Sequence, residues 1–186
     1  QILSGLSGML IVDGVIEDHY PELLGLRQRV MQLKANLLPD QDPNSALTKT
    51  INGFANAPIR SRPGEYQVWM LGNLGADAYF NLALDGHEFW VLERDDNMLR
   101  RPVKQQTLFL EAGARLSVVV KAGPAGQYAL RSLETDTGPQ GDPNPEVVVG
   151  TFIVEGNPVN ERGIAQRLRR PAGDIAGITP PPFERF

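Results

Sequence analysis

The chain has 186 residues, with 18 Lys and Arg against 22 Asp and Glu for a formal net charge of −4, and 41% of it is hydrophobic. That is the size of one globular domain, too apolar for a disordered chain and without the basic excess that nucleic-acid or anionic-membrane binding requires. With no cysteine and 2 histidines, it has no disulfide framework, no thiolate nucleophile and too few imidazoles to build a zinc or copper site from its own residues.

The sequence opens Gln1-Ile2-Leu3 without an initiator Met or a cleavable leader pattern, and is expected to be a fragment of a longer polypeptide. No apolar run approaches the ~20 residues of a membrane-spanning helix. Residues 9–12 read as the first strand. The one helical candidate is 20–28, where Pro21 suits a first turn and Leu23, Leu24 and Arg27 stand at near-helical spacing. Gly25 limits it to a single short turn.

Strands are then expected at 29–33, 66–71, 80–84, 89–93, 106–110, 116–121, 127–132 and 147–154. Several alternate apolar and polar side chains, as in Tyr66-Gln67-Val68-Trp69 and Arg115-Leu116-Ser117-Val118, which predicts one face in a core and the other toward water. Gly and Pro, 19 and 15 of them, fall between these runs as turn signals such as Pro63-Gly64, Ala112-Gly113 and Gly123-Pro124-Ala125-Gly126. Short strands punctuated in this way predict an all-β sandwich. Beyond Val154 the pattern dissolves into Gly156-Asn157-Pro158 and an arginine- and proline-rich tail, which reads as an extended linker.

Candidate chemistry is sparse. His87 lies between Asp85 and Glu88, carboxylates that could orient an imidazole for acid–base work, but no nucleophile motif accompanies it and a structural role is expected. His19 follows Glu17 and Asp18; three consecutive groups on a strand cannot converge on one metal, so an exposed loop histidine is expected. Glu93, Asp95 and Asp96 form a carboxylate cluster of the kind that binds a hard cation, and the arginines that flank it favour a solvated turn instead. Gly5-Leu6-Ser7-Gly8 lacks the Gly-x-Ser-x-Gly spacing of a nucleophile elbow. Arg167, Arg169 and Arg170 read as a solvated arm rather than a binding patch. The residues therefore yield no catalytic, cofactor-binding or metal site.

Four segments in order resemble the multicopper oxidase family, laccase-like enzymes built from cupredoxin domains. Gly5-Leu6-Ser7-Gly8-Met9-Leu10-Ile11-Val12 is similar to the segment that closes the family's first domain. Asn52-Gly53, then Pro63-Gly64-Glu65-Tyr66-Gln67-Val68-Trp69-Met70-Leu71-Gly72-Asn73, resembles the Pro-Gly-Glu-x-Gln-x-Trp stretch of the second domain, with Met70 where an Arg is usual. Gly86-His87-Glu88-Phe89 and the turn after Glu93, with Asp96-Asn97 replacing Asp-Gly, resemble a strand pair of the same domain. Gly113-Ala114-Arg115 with Val118-Val119-Val120 and Gly126-Gln127-Tyr128 is similar to the Gly-x-Arg … Gly-x-Tyr strands.

The resemblance implies an all-β, cupredoxin-like Greek-key sandwich. It implies that residues 1–14 are the last strand of a truncated first domain, 15–50 the interdomain connection and first strand of the second, 51–156 the second domain itself, and 157–186 a linker toward a third. In this family the copper ligands sit in the first and third domains as His-x-His and His-Cys-His segments, and this chain has neither. The expected function is that of a non-catalytic middle domain, inactive alone and binding no copper itself. The copper-dependent parent would couple one-electron oxidation of phenols, aromatic amines or metal ions to four-electron reduction of dioxygen to water. Expected partners are the missing first and third domains or other chains, and the expected location is periplasmic or secreted. Two alternatives stand beside it: a copper-free relative serving as a binding or scaffold protein of the bacterial envelope, and an unrelated carbohydrate-binding or adhesion sandwich.

Overall fold

Two mixed β-sheets pack face to face in the computed structural model, which describes residues 7–11, 14–37, 42, 47–76, 78–161 and 163–168. Among the described residues a short helix α1 (Val15–His19) and a 3-10 turn (Pro21–Leu23) precede eleven strands. They are β1 (Arg27–Asn36), β2 (Thr48–Ile51), β3 (Ala57–Ser61), β4 (Tyr66–Asn73), β5 (Phe80–Leu84), β6 (Phe89–Arg94), β7 (Asn97–Gln105), β8 (Thr107–Leu110), β9 (Arg115–Lys121), β10 (Gly126–Ser132) and β11 (Val147–Val154). A short helix α2 (Ile164–Arg167) follows. The larger sheet runs β2-β1-β4-β9-β6-β7 and the smaller β3-β11-β10-β5-β8. β1 pairs with β4 and β3 with β11 in parallel; the other pairs are antiparallel. This is the cupredoxin-like sandwich that the sequence leads one to expect.

The central core fills the space between the sheets, with Trp69, Leu71, Phe89, Val118 and Phe152 among its buried side chains. Trp69 stands edge-on to Phe152 at 5.6 Å and to Phe89 at 6.3 Å, a favoured arrangement of aromatic quadrupoles.

The larger sheet is covered on its other side as well. Tyr66, Val68 and Met70 of β4, Trp90 and Leu92 of β6 and Val119 of β9 form a second cluster with Ile16, Tyr20, Leu23, Ile164 and Leu168. The expectation of a solvated face therefore fails for β4, all eight of whose residues are buried. Its alternation separates two apolar environments, as in sheets covered on both sides.

The segment read as a free linker contributes to that cover. Leu168 is fully buried, which stabilises its attachment by about 1.5–3 kcal/mol. Residues 169–186, with Arg169 and Arg170, lie outside the described residues.

Residues 9–11 lie against the outer side of the larger sheet and join no strand among the described residues, and Val12 lies outside those residues. The stretch expected to hold a single short turn holds one, the 3-10 turn Pro21–Leu23, because Arg27 and Gln28 already pair with β4; the helices among the described residues are α1 and α2, which were not expected.

Candidate functional site

His87 sits at one end of the sandwich, in the turn between β5 and β6. Gly86 adopts φ 70° there, a conformation open to glycine, and the His87 amide closes the turn on the Leu84 carbonyl at 3.0 Å. The ring Nε2 accepts a hydrogen bond from the Gly123 amide at 3.0 Å. The proton therefore lies on Nδ1, which donates to the Asp85 carbonyl at 2.7 Å. Tyr128 and Phe152 flank the ring edge-on at 4.5 and 5.4 Å. With both nitrogens bonded to main chain, the imidazole has no lone pair for a metal or a substrate proton.

The neighbouring carboxylates do not orient it. The Asp85 side chain turns to Arg131 with two contacts of 3.0 Å, and those bonds hold its carboxyl below the ordinary value. Glu88 accepts from Lys104 at 2.5 Å and from Gln106 at 2.9 Å.

A cleft of about 660 Å³ opens beside this turn, lined by Tyr66, His87, Trp90, Lys104, Lys121 and Pro124 among others. Lys104 stands over the Trp90 ring at 4.9 Å and Lys121 over Tyr66 at 5.4 Å. These are cation–π contacts that fix the walls. Among the described residues that line it, the carboxylate of Glu88 is held by Lys104 and Gln106.

The Pro63-Gly64-Glu65-Tyr66-Gln67-Val68-Trp69 stretch builds a buried polar chain. Gly64 takes φ 80° and lies so close to the neighbouring segment that a β-carbon there would stand 2.6 Å from the Val159 carbonyl. Glu65 accepts the Arg62 amide at 2.9 Å and the Gln67 side-chain amide at 3.0 Å. The Gln67 carbonyl oxygen in turn accepts from the Trp69 indole at 3.1 Å and from Arg29 at 2.7 Å, while its amide also reaches the Arg60 carbonyl on β3 at 3.0 Å. The chain thus links β1 and β4 in one sheet to β3 in the other. Burial works to raise the Glu65 carboxyl. Hydrogen bonds from Gln67 and Arg62 and the charge of Arg27 outweigh it and hold the group below its usual range.

The acidic cluster is engaged in the same structural way. Asp95 and Asp96 both have positive φ, 50° and 62°, so they are the two central residues of the tight turn joining β6 to β7. The turn therefore lies one residue earlier than the Asp96-Asn97 reading. Asp95 accepts the Arg115 amide at 2.8 Å, Asp96 binds the Arg115 guanidinium at 2.6 Å, and Glu93 accepts from the Ser117 hydroxyl at 2.7 Å. His19 ends α1 and is half-buried rather than an exposed loop residue. Among the described residues, no group of three or more His, Cys, Asp or Glu side chains is placed to hold a metal ion.

One notable group escaped the sequence reading. Lys49 on β2 is buried; its amine donates to Ser132 Oγ at 2.8 Å and lies 5.1 Å from the centre of the Phe80 ring. Burial lowers its pKa to about 8. Ser132 is fully buried, so the pair presents no hydroxyl to a substrate. Thr48-Lys49-Thr50 carries no apolar pattern that would mark a buried strand.

A family model for the multicopper oxidases matches residues 15–156. No curated protein sequence matches the chain significantly. Among solved structures, the McoA multicopper oxidase of the hyperthermophile Aquifex aeolicus is similar, with a TM-score of 0.66 at 18% identity over 84% of this chain and 41% of that one. A multicopper oxidase of Campylobacter jejuni described as a metallo-oxidase gives 0.63 at 19% identity, over 87% of this chain and 35% of that one. A multi-copper oxidase of Pseudomonas thermotolerans gives 0.55 at 20%, over 70% and 33%. The chain spans less than half the length of each of these proteins.

Proposed function

This chain belongs to the multicopper oxidase family, and on that premise we propose that it is the second, non-catalytic cupredoxin-like domain of its parent. In this reading residues 1–14 complete a preceding domain, 15–50 connect to and begin the second, 51–156 form its body, and 157–186 lead toward a third. The domain spaces the copper-bearing units and holds them in register. The parent couples one-electron oxidation of phenols, aromatic amines or metal ions to the four-electron reduction of dioxygen to water, in the periplasm or outside the cell.

The observation that carries this reading is the donor set. A copper centre that takes electrons from substrate needs a thiolate and imidazoles, and a centre that reduces dioxygen needs imidazoles. This chain has no cysteine, and both ring nitrogens of His87 are held by main chain. Its residues do not fit copper. Its contribution is the scaffold: the Glu65–Gln67–Trp69 chain and the two apolar clusters fix the relative positions of strands, and hence of whatever the ends of the chain connect.

The test is the sequence of the longer gene together with the copper content of its product. His-x-His before Gln1, His-Cys-His after Phe186 and bound copper support the reading. Their absence in a folded, copper-free product turns it toward a binding or scaffold protein.

A further inference from the structure

Asn52-Gly53 is the one Asn-Gly pair in the chain. It forms the two-residue turn that follows β2: the amides of Ile51 and Phe54 each donate to the other's carbonyl at 3.0 Å, and both turn residues have positive φ, 51° and 86°. Asparagine followed by glycine suits that backbone. The same pair is chemically labile, because a glycine amide carries no side chain to hinder its approach to the preceding carboxamide carbon. Around Gly53 the space is open, with no atom beyond its chain neighbours within 4 Å of where a β-carbon would stand, and both residues are exposed to water.

The fold holds the Asn52 side chain away from that glycine. Its Oδ1 accepts the Gln32 amide at 2.8 Å, its Nδ2 donates to the Val30 carbonyl at 2.9 Å, and the Asn52 amide donates to the Gln32 carbonyl at 2.9 Å. Leu33 pairs with Ile51, so the Asn52 carboxamide extends the β1–β2 ladder by one step, standing in for a peptide group. With both of its ends bonded to β1, its carbon cannot turn onto the Gly53 nitrogen. That lock lasts as long as the β1–β2 pairing does. β2 has four residues and is the outermost strand of the larger sheet, and short edge strands open more readily than interior ones.

We propose that Asn52-Gly53 is a latent modification site, closed by Val30 and Gln32 in the folded chain and open to attack by its own main chain whenever the β1–β2 edge parts. On opening, the Gly53 nitrogen gives its proton to water and bonds to Asn52 Cγ; the Cγ–Nδ2 bond breaks, and that nitrogen takes up a proton and leaves as ammonia. Water then opens the resulting succinimide ring at either carbonyl. Opening at Cγ leaves an aspartate. Opening at the main-chain carbonyl leaves an isoaspartate, whose chain runs through the former side chain. Neither product has the donor that met the Val30 carbonyl, and the isoaspartate adds a main-chain carbon to a turn built for two residues. Loss of ammonia makes the step one-way, so an edge that has opened and reacted does not close as it was.

The 186-residue chain tests this, held at mildly alkaline pH in a urea series from none to full unfolding. Conversion at each asparagine is read by peptide mass spectrometry, isoaspartate by enzymatic methylation, and opening of the edge by hydrogen exchange at the Gln32 amide. In the unfolded chain Asn52 is expected to convert ahead of every other asparagine. In the folded chain it should convert at least ~100-fold more slowly, with a rate that rises with urea in step with Gln32 exchange. Conversion as fast in the folded chain as in the unfolded one overturns the proposal, and so does conversion that does not follow Gln32 exchange. The converted protein, refolded and separated by its added negative charge, should exchange the Gln32 amide several-fold faster than the unconverted one. Asn52→Asp reaches the same loosened edge without an unfolding step. Unchanged Gln32 exchange in both overturns the claim that the modified edge fails to close.

Discussion

Met9 occupies the space of a side chain that Gly72 does not have: a β-carbon at residue 72 would stand 2.5 Å from the Met9 sulfur. Glycine is otherwise a poor strand residue, weaker than alanine by roughly 0.5–1 kcal/mol. Its presence in β4 follows from what lies on top of it. Gly72→Ala is therefore expected to leave the thermal midpoint nearly unchanged, the gain in strand propensity offsetting the displaced thioether. Locally, residues 7–11 should lift, and limited proteolysis there should accelerate several-fold. In a Met9→Ala background the same substitution should have no such effect, because the two residues act through one contact.

His87 acts as a main-chain clamp rather than as a base. His87→Phe keeps a ring between Tyr128 and Phe152 but leaves the Gly123 amide and the Asp85 carbonyl without their partner. The expected loss is about 1–3 kcal/mol, read as a lower urea midpoint with an unchanged m-value.

Gln67 joins Glu65, Arg29, Arg60 and Trp69, so Gln67→Leu strands several buried groups at once. A destabilisation on the order of 2–4 kcal/mol is expected. A red-shifted Trp69 emission should accompany it if the indole loses its enclosure.

The same network sets an acid limb. The Glu65 carboxyl lies below its ordinary value in the folded protein, so the unfolded chain binds its proton first as pH falls. The stability that this carboxylate contributes is complete above the unfolded pKa and is lost as pH drops through the folded one. Glu65→Gln should flatten stability against pH in that acid window and leave the slope elsewhere unchanged. Urea unfolding across an acid pH series checks this.

Lys49 gives the opposite limb. Its amine titrates near 8 when folded, against 10.5 for the ordinary group. Between those values the unfolded chain holds the extra proton, and stability rises with pH, by an amount on the order of 1–3 kcal/mol. Below pH 8 the cost of burying the charge is present in full. The Lys49→Met, Ser132→Ala double variant, which leaves no unpaired hydroxyl, should be more stable than the parent at pH 7 and lack the rise between pH 8 and 10.5.

The strands that sequence patterning missed share a position. Among the expected strands, those at 66–71, 89–93 and 116–121 are interior to the larger sheet, where apolar residues on both faces make a continuous signal. The three not expected, β2, β3 and β7, all lie at sheet edges. Pro58 stands in β3 and Pro102 with Arg100 and Arg101 in β7, the proline and charge that protect an edge from further pairing and that also erase its apolar pattern. The covered outer face was illegible for another reason. Its lid comes from Ile16, Leu23, Ile164 and Leu168 on short segments that have no period of their own. The resemblance to the family rested on turn and network residues such as Gly64, Glu65 and Gln67, whose roles appear only when their hydrogen bonds are in view. Lys49 lay in a short polar strand and gave no signal at all.

The most direct measurement is copper binding by the purified 186-residue chain beside the longer polypeptide, each reconstituted with copper, desalted and assayed by elemental analysis and visible absorption. A scaffold domain without a donor set predicts no stoichiometric copper and no charge-transfer band for the short chain, with both present in the longer one. A short chain that retains an equivalent of copper through desalting contradicts the account, and would mean that side chains assigned here to structure form a metal site.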